Sequence, residues 1–236
     1  MRSSWKGGGF HTGRRRPVGR RPRDEGRFPD VDGEAARAYD AWYDAHAEAY
    51  ETELAAIRRL LPRDRRSVEV GVGTGRFASR LGLRVGLEPS LSMAKLAKAR
   101  GVEVVQGFAE RMPFRSGTLD VILMVTTLRN VGDLAMALSE SARVLRPRGV
   151  LVLADIDPES FLGSIYEARR STSSFLRGAR FHAVGQIRAW LAESGFADVS
   201  VWQTLFHEPD KITAVEPLKK GHGEGGVVIL RARRRP

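Results

Sequence analysis

The chain has 236 residues, 42% hydrophobic and 28% charged, enough for one α/β domain with a buried core; lacking cysteine, it excludes disulfides, thiolate metal sites and cysteine nucleophiles. The net charge of +11 is carried by the ends: residues 1–30 hold nine Lys/Arg against three acids, and Arg231, Arg233, Arg234 and Arg235 lie among the last six. Solvated basic ends on a near-neutral body argue against a nucleic-acid enzyme, and with no apolar stretch near the ~18–20 residues of a membrane span and no apolar signal core, a soluble cytoplasmic protein is expected.

Residues 1–31, rich in Gly, Arg and Pro and without periodicity, read as a disordered basic tail. A transit peptide and a mis-called start codon are the alternatives for this segment. A single folded domain is expected over 32–236. Asp32 can cap a helix in which Tyr39, Trp42, Tyr43, His46 and Tyr50 recur at helical spacing, and Pro62 stops the run. Strand patterns then alternate with helix patterns: strands at 67–72, 84–88, 102–106, 119–126 and 150–155, helices at 76–81, 91–99 and 133–145. That alternation predicts a doubly wound parallel sheet with right-handed crossovers. A helical stretch at 159–177 and a helix at 185–194, closed by Gly195, precede strands near 197–206 and 226–232. Two strands in succession predict an antiparallel hairpin on the sheet edge.

The stretch "VEVGVGTGRF" places Gly71, Gly73 and Gly75 at alternate positions after the first strand. The dinucleotide fingerprint G-x-G-x-x-G requires glycine at position 76, where Arg76 stands, and no lysine precedes Ser or Thr as the Walker loop demands. Glu69 lies at the strand end beneath the loop, repelling a pyrophosphate by ~1 kcal/mol at 4 Å even in water. Beside a cationic ligand it attracts. S-adenosylmethionine carries an ammonium and a sulfonium and no phosphate, and bare glycines let the backbone approach it. Thirteen residues after Gly75, the second strand ends "RVGLEPS" at Glu88, where a carboxylate can accept from both hydroxyls of a ribose.

In order, "VEVGVGTGRFA", "GLEPS", "VVQGFAERMPF", "LDVILMVTTLRNV" and "ARVLRPRGVLVLAD" resemble the successive motifs of class I S-adenosylmethionine-dependent methyltransferases. They are most similar to the branch of the ubiquinone/menaquinone methyltransferases, over roughly residues 33–155. The resemblance implies a Rossmann-like seven-stranded sheet of order 3-2-1-4-5-7-6 with the last strand antiparallel. It implies that Glu69, Gly71, Gly73 and Gly75 hold the methionine end of S-adenosylmethionine, and that Glu88 binds its ribose. Pro89 and Met93 would lie beside the adenine, the Phe108–Ala109–Glu110 turn would cover its edge, and Val125 would reach the cofactor through its carbonyl. Phe108 stands where the family usually has Asp, which exchanges a side-chain acceptor for stacking. "RPRG" replaces the usual Pro-Gly-Gly, and Arg129 and Asn130 fall where the family varies freely. The C-terminal third, including "DPESFLGSIYE" and "EPLKKGHGEGG", is similar to uncharacterised methyltransferases, some labelled possible histamine-type N-methyltransferases.

Methyl transfer requires an acceptor lone pair held in line with the methyl carbon, so positioning and desolvation carry most of the catalysis. Without cysteine, pyrimidine C5 and arsenic methylation are excluded, and "VTTLRN" after the fourth strand lacks the Asn/Asp-Pro-Pro-aromatic motif of base amino-methyltransferases. A small-molecule acceptor is therefore expected. Tyr43 is the expected cofactor contact and Trp42 a packing residue. Thr126 and His182 are the candidate acceptor-side groups, and residues 159–185 are a cap-like insertion over the substrate side. The five histidines form no metal-type pair in sequence, so no metal is expected. Three other readings remain open: an RNA or protein methyltransferase docking through the basic ends, a non-catalytic S-adenosylmethionine-binding protein, and an NAD-dependent dehydrogenase.

Overall fold

The computed structural model describes residues 31–62, 66–171, 173, 176 and 178–236. Apart from Val31, the tail expected over 1–31 lies outside the described residues.

Eight strands form one sheet: β1 (Ser67–Val70), β2 (Val85–Glu88), β3 (Glu103–Gln106), β4 (Leu119–Val125), β5 (Leu145–Ile156), β6 (Phe196–Thr204), β7 (Lys219–Lys220) and β8 (Val227–Arg234). Their spatial order is β3-β2-β1-β4-β5-β8-β6-β7. The first five are parallel, and β8 inserts antiparallel between β5 and β6, pairing Ala154 with Ile229 and Trp202 with Ile229. The expected order is thus present with one addition, the two-residue β7 on the edge, too short to carry a pattern of its own.

The helices are α1 (Gly33–Ala45), α2 (Ala47–Leu60), α3 (Arg76–Leu81), α4 (Leu91–Ala99), α5 (Leu134–Val144), α6 (Phe161–Arg169) and α7 (Val184–Glu193). Side-chain caps start four of them. Asp32 accepts from the Glu34 and Ala35 amides, and Ser90, Asp133 and Ser160 accept from the third residues of α4, α5 and α6. Along β4 every residue is buried and the two faces alternate. Ile122 and Met124 pack with the α5 and α7 side, while Leu123 and Val125 pack with Tyr50, Leu54 and Ile57 of α2. This is the layering a parallel sheet covered on both faces requires.

Three sequence expectations are corrected. The helix expected from Asp32 to Pro62 is two helices broken at His46, whose backbone leaves the helical region at φ −126° and ψ 51°. The imidazole fixes the break: it stacks on Trp42, its Nδ1 bonds the Trp42 carbonyl at 2.7 Å, and its Nε2 meets Asp210 at 2.8 Å. The helix expected over 159–177 spans only Phe161–Arg169 among the described residues. Finally, Arg231, Arg233 and Arg234 are not solvated tail. They lie in β8, paired to β5 and β6, and the Arg234 guanidinium bonds the Leu145 carbonyl.

Candidate functional site

The glycine loop joins β1 to α3 at the C-terminal edge of the sheet. Gly71, Gly73 and Gly75 all have positive φ (71°, 54° and 81°). A Cβ on Gly71 would lie 2.6 Å from the Thr127 side chain, which is pinned there because its hydroxyl donates to the Val70 and Val125 carbonyls. A Cβ on Gly75 would lie 2.8 Å from the Ala97 backbone. Only at Gly73 is the space open, with Tyr39 Cε1 the nearest atom at 3.9 Å. Two glycines therefore serve close packing, and the middle one faces the ligand side.

That space is a narrow cavity of about 20 Å³ walled by Glu69, the loop, Arg76, Phe77, Val125 and the rings of Tyr39 and Tyr43. The two tyrosines reach it from α1, hydroxyl to hydroxyl at 2.8 Å. One carboxylate ties α1 down: Asp40 accepts from Arg76 at 2.8 and 3.0 Å and from Arg100 at 2.6 Å. Arg76 also bonds Asp44, and Arg100 the Thr74 carbonyl. Burial raises the Asp40 pKa, but hydrogen bonds from Arg76, Thr74 and Arg100 outweigh it and hold the pKa at about 2.

Two carboxylates face this loop from below. Glu69 is 2% exposed and its Oε2 has no hydrogen-bond partner. Burial pushes its pKa well up, the Ala78 amide opposes, and the nearby Glu88 charge adds to the rise. Glu88 accepts from the Gly73 amide at 2.9 Å and the Ser90 amide at 2.9 Å, and burial raises its pKa against those two bonds. A pyrophosphate here would meet two acids, and the cation beside the loop, Arg76, is already ion-paired through Nε and Nη2 to Asp40 and Asp44. An orphaned buried carboxylate oxygen instead calls for a donor-bearing cation. The residues present fit the ammonium and ribose of S-adenosylmethionine.

The other expected site residues fall around this center. Val125 and Tyr43 line the cavity. Pro89 follows Glu88, and the Met93 amide is capped by Ser90. Phe108 is 47% exposed, Ala109 is buried, and the two sit in a turn closed by a Phe108–Arg111 bridge. The Glu110 carboxylate is engaged in the fold, accepting from the Gly132 and Asp133 amides ahead of α5. Thr126 follows β4 with a strained φ of 48° and donates its amide to Ala154. His182 does not join the cavity lining. It packs edge-on against Trp190 of α7, where burial and then the Arg180 charge lower its pKa.

Sequence reasoning passed over four residues that the fold gathers: Glu53 of α2, Arg129 in the 3₁₀ turn Leu128–Asn130, Asp155 near the end of β5, and Tyr166 of α6. Glu53 was legible, because Tyr50, Glu53, Leu54 and Ile57 fall on one helical face and put an acid in an apolar stripe. Arg129 and Asp155 carry no such signal, since only the parallel pairing of β4 with β5 brings them together. Asp157, Glu159 and His222 offer ligand atoms within 4.8 Å of one another, a spacing the sequence hides. Both Asp157 oxygens already accept amides, from Glu159 and Gly223, which accounts for the group as an anchor of the 221–226 loop.

A methyltransferase-domain family matches residues 68–153. A solved Thermotoga maritima protein, described as a SAM-dependent methyltransferase, possible histamine N-methyltransferase, is 40% identical. The alignment covers 86% of this chain and 97% of that one with a TM-score of 0.83. An uncharacterized protein of Methanocaldococcus jannaschii is 37% identical over 84% of this chain and 95% of its own length. The demethylmenaquinone methyltransferase of Renibacterium salmoninarum is 31% identical over 57% of this chain and 68% of its length. The chain belongs to the class I S-adenosylmethionine-dependent methyltransferases. S-adenosylmethionine is its cofactor, and the sheet order is the Rossmann-like one of that class.

Proposed function

We propose that the chain transfers the methyl group of S-adenosylmethionine to a small-molecule acceptor by in-line displacement. The observation that carries this reading is Glu69: a buried carboxylate with an unpartnered oxygen beneath a glycine loop whose Arg76 is ion-paired to Asp40 and Asp44. Glu69 and the open face at Gly73 would hold the methionine end, Glu88 the ribose, and Pro89, Met93 and the Phe108–Glu110 turn the adenine, with Phe108 as the stacking ring. Tyr43 and the Val125 carbonyl would flank the reacting end. When bound, the cofactor supplies a sulfonium-activated methyl carbon. The chain's own part is to orient the two partners and to exclude water through the α1 lid.

The acceptor would enter over the ends of β4 and β5, beside strained Thr126, with residues 159–185 as a cap above it. Among the described residues no helix is long and apolar enough to cross a membrane. Two of the relatives named above are described by small acceptors, one as a demethylmenaquinone methyltransferase and one as a possible histamine N-methyltransferase, which supports the small-molecule reading. Incubating the full chain with methyl-labeled cofactor and a fractionated cell extract tests it. Label is expected in the metabolite fraction. Label in the RNA or protein fraction, and none in metabolites, would overturn the choice of acceptor.

A further inference from the structure

We propose that Glu53, Asp155 and Arg129 form the acceptor pocket, and that it takes a small amine, which enters as its ammonium and gives a proton to the Glu53 carboxylate. This rests on the small-molecule methyltransferase reading above.

The three side chains come from α2, β5 and the turn after β4, and they are 5%, 5% and 8% exposed. Such residues are almost never buried unless paired. Here two of them retain unpaired atoms: Arg129 Nε and Asp155 Oδ2 have no hydrogen-bond partner. Arg129 makes no ion pair of 4.0 Å or less with either acid; its charge acts on both through space, and the Ile156, Arg129 and Leu128 amides also lower the Asp155 pKa. A donor without an acceptor and an acceptor without a donor, both sealed from water, are costly in an empty fold. They are what a polar ligand would complete.

The position is on the acceptor side. The Thr126 amide bonds Ala154, so the ends of β4 and β5 lie side by side, and Val125, one residue earlier, lines the cofactor cavity. Tyr43 lines the same cavity and lies within electrostatic reach of both Glu53 and Arg129. Tyr166 of α6 is within reach of the same two charges. The pocket is thus framed by two aromatic rings, one shared with the cofactor, and rings suit a cation.

The charge balance selects the ligand. The groups facing Glu53 are Tyr43 from α1, Arg129 from the turn, Asp155 from β5 and Tyr166 from α6. Once Glu53 has ionized, two carboxylates stand against one guanidinium, and a carboxylate or phosphate on the acceptor would then be repelled. An ammonium can donate to Asp155 Oδ2 and to Glu53, leaving Arg129 Nε for an acceptor atom elsewhere on the ligand. On proton transfer the N–H bond breaks, its electron pair stays on nitrogen as the attacking lone pair, and the proton ends on Glu53. Burial raises the Glu53 pKa to about 8, with Arg129 pulling down and Asp155 pushing up, near the value a base for an ammonium needs.

Calorimetry on the full chain saturated with S-adenosylhomocysteine tests the proposal. The probes are phenethylamine and butylamine, with 2-phenylethanol, butanol, phenylacetate and butyrate as matched controls. At least one amine is expected to bind at least tenfold more tightly than its alcohol and carboxylate counterparts. Its affinity should rise about tenfold from pH 6.5 to 8.5 as Glu53 ionizes. Glu53→Gln should lower that affinity at least tenfold and flatten the pH profile while S-adenosylhomocysteine affinity is kept; if this variant loses the fold, Asp155→Asn is measured by the same affinity criterion. Binding of no amine, preference for the alcohols or carboxylates, or an unchanged affinity in the variant would each overturn the amine pocket and leave methyl transfer standing. Failure of the wild-type chain to bind S-adenosylhomocysteine would instead remove the reading on which the pocket rests.

Discussion

The Glu88 carboxylate at the end of β2 holds the amide of Gly73, fifteen residues earlier, at 2.9 Å, and its other oxygen holds the amide of Ser90. One acid therefore ties the open glycine of the loop to the strand that would present it to the ribose. Glu88→Ala is expected to weaken S-adenosylhomocysteine binding by about 1–3 kcal/mol, the scale of charge-assisted hydrogen bonds. Calorimetry reads the change, and an affinity equal to wild type would remove Glu88 from the ribose site.

The glycine loop offers a sharper separation of fold from binding. Gly75→Ala combines a left-handed φ of 81° with a Cβ 2.8 Å from the Ala97 backbone, and should cost about 2–4 kcal/mol in urea unfolding. Gly73→Ala meets only backbone strain, about 1–2 kcal/mol, because its Cβ points into open space. It should fold and yet bind cofactor at least tenfold more weakly. The opposite ranking of the two variants would mean that Gly73 does not face the ligand.

Asp40 links α1 to both sides of the loop through Arg76 and Arg100. Asp40→Asn should destabilize the chain by about 2 kcal/mol at pH 7, since hydrogen bonds to charged groups are worth about that much. Its folded pKa of about 2 lies below the unfolded value, so its contribution is present above about pH 4 and fades as pH falls through 2. The stability gap between wild type and variant should therefore close in acid, as measured by thermal unfolding from pH 7 to pH 2.

Glu53 acts with the opposite sign. Its folded pKa of about 8 lies above the unfolded value of ~4.3, so between those limits the native state holds a proton that the unfolded state has released. Stability then falls as pH rises through this window and levels off above it. Glu53→Gln removes that slope, and its unfolding free energy should gain on wild type progressively from pH 5 to pH 8. Asp155, Glu69 and Glu88, also raised by burial, leave a slope of the same sign in both proteins. Parallel profiles for the two proteins would show that Glu53 is ionized throughout.

What the sequence made legible is what local periodicity encodes. The alternation of β and α patterns led to the doubly wound parallel sheet, the strand order followed from the family resemblance, and Asp32 and Gly195 marked helix ends that the structure keeps, Gly195 with φ 88°. The break at His46 was not legible because it depends on Asp210, far along the chain. The same holds for the acceptor side. Arg129 reads as a position where the family varies freely until β4 and β5 pair and bury it beside Asp155. His182 drew attention as a titratable residue before a helix, whereas its ring packs against Trp190. Site residues fixed by one loop can be read from spacing; those assembled from separate elements become visible only once the chain is folded.

The cavity under α1 suits an adenosyl sulfur amino acid, whose ammonium meets Glu69, and not a pyrophosphate. Titration of the full chain with S-adenosylhomocysteine and with NAD⁺ in parallel calorimetric runs tests it most directly. S-adenosylhomocysteine is expected to bind saturably and one-to-one, with ~2.7 kcal/mol of added stability at 100 times its Kd, and NAD⁺ to give no heat. Tight binding of NAD⁺ with silence from S-adenosylhomocysteine would contradict it.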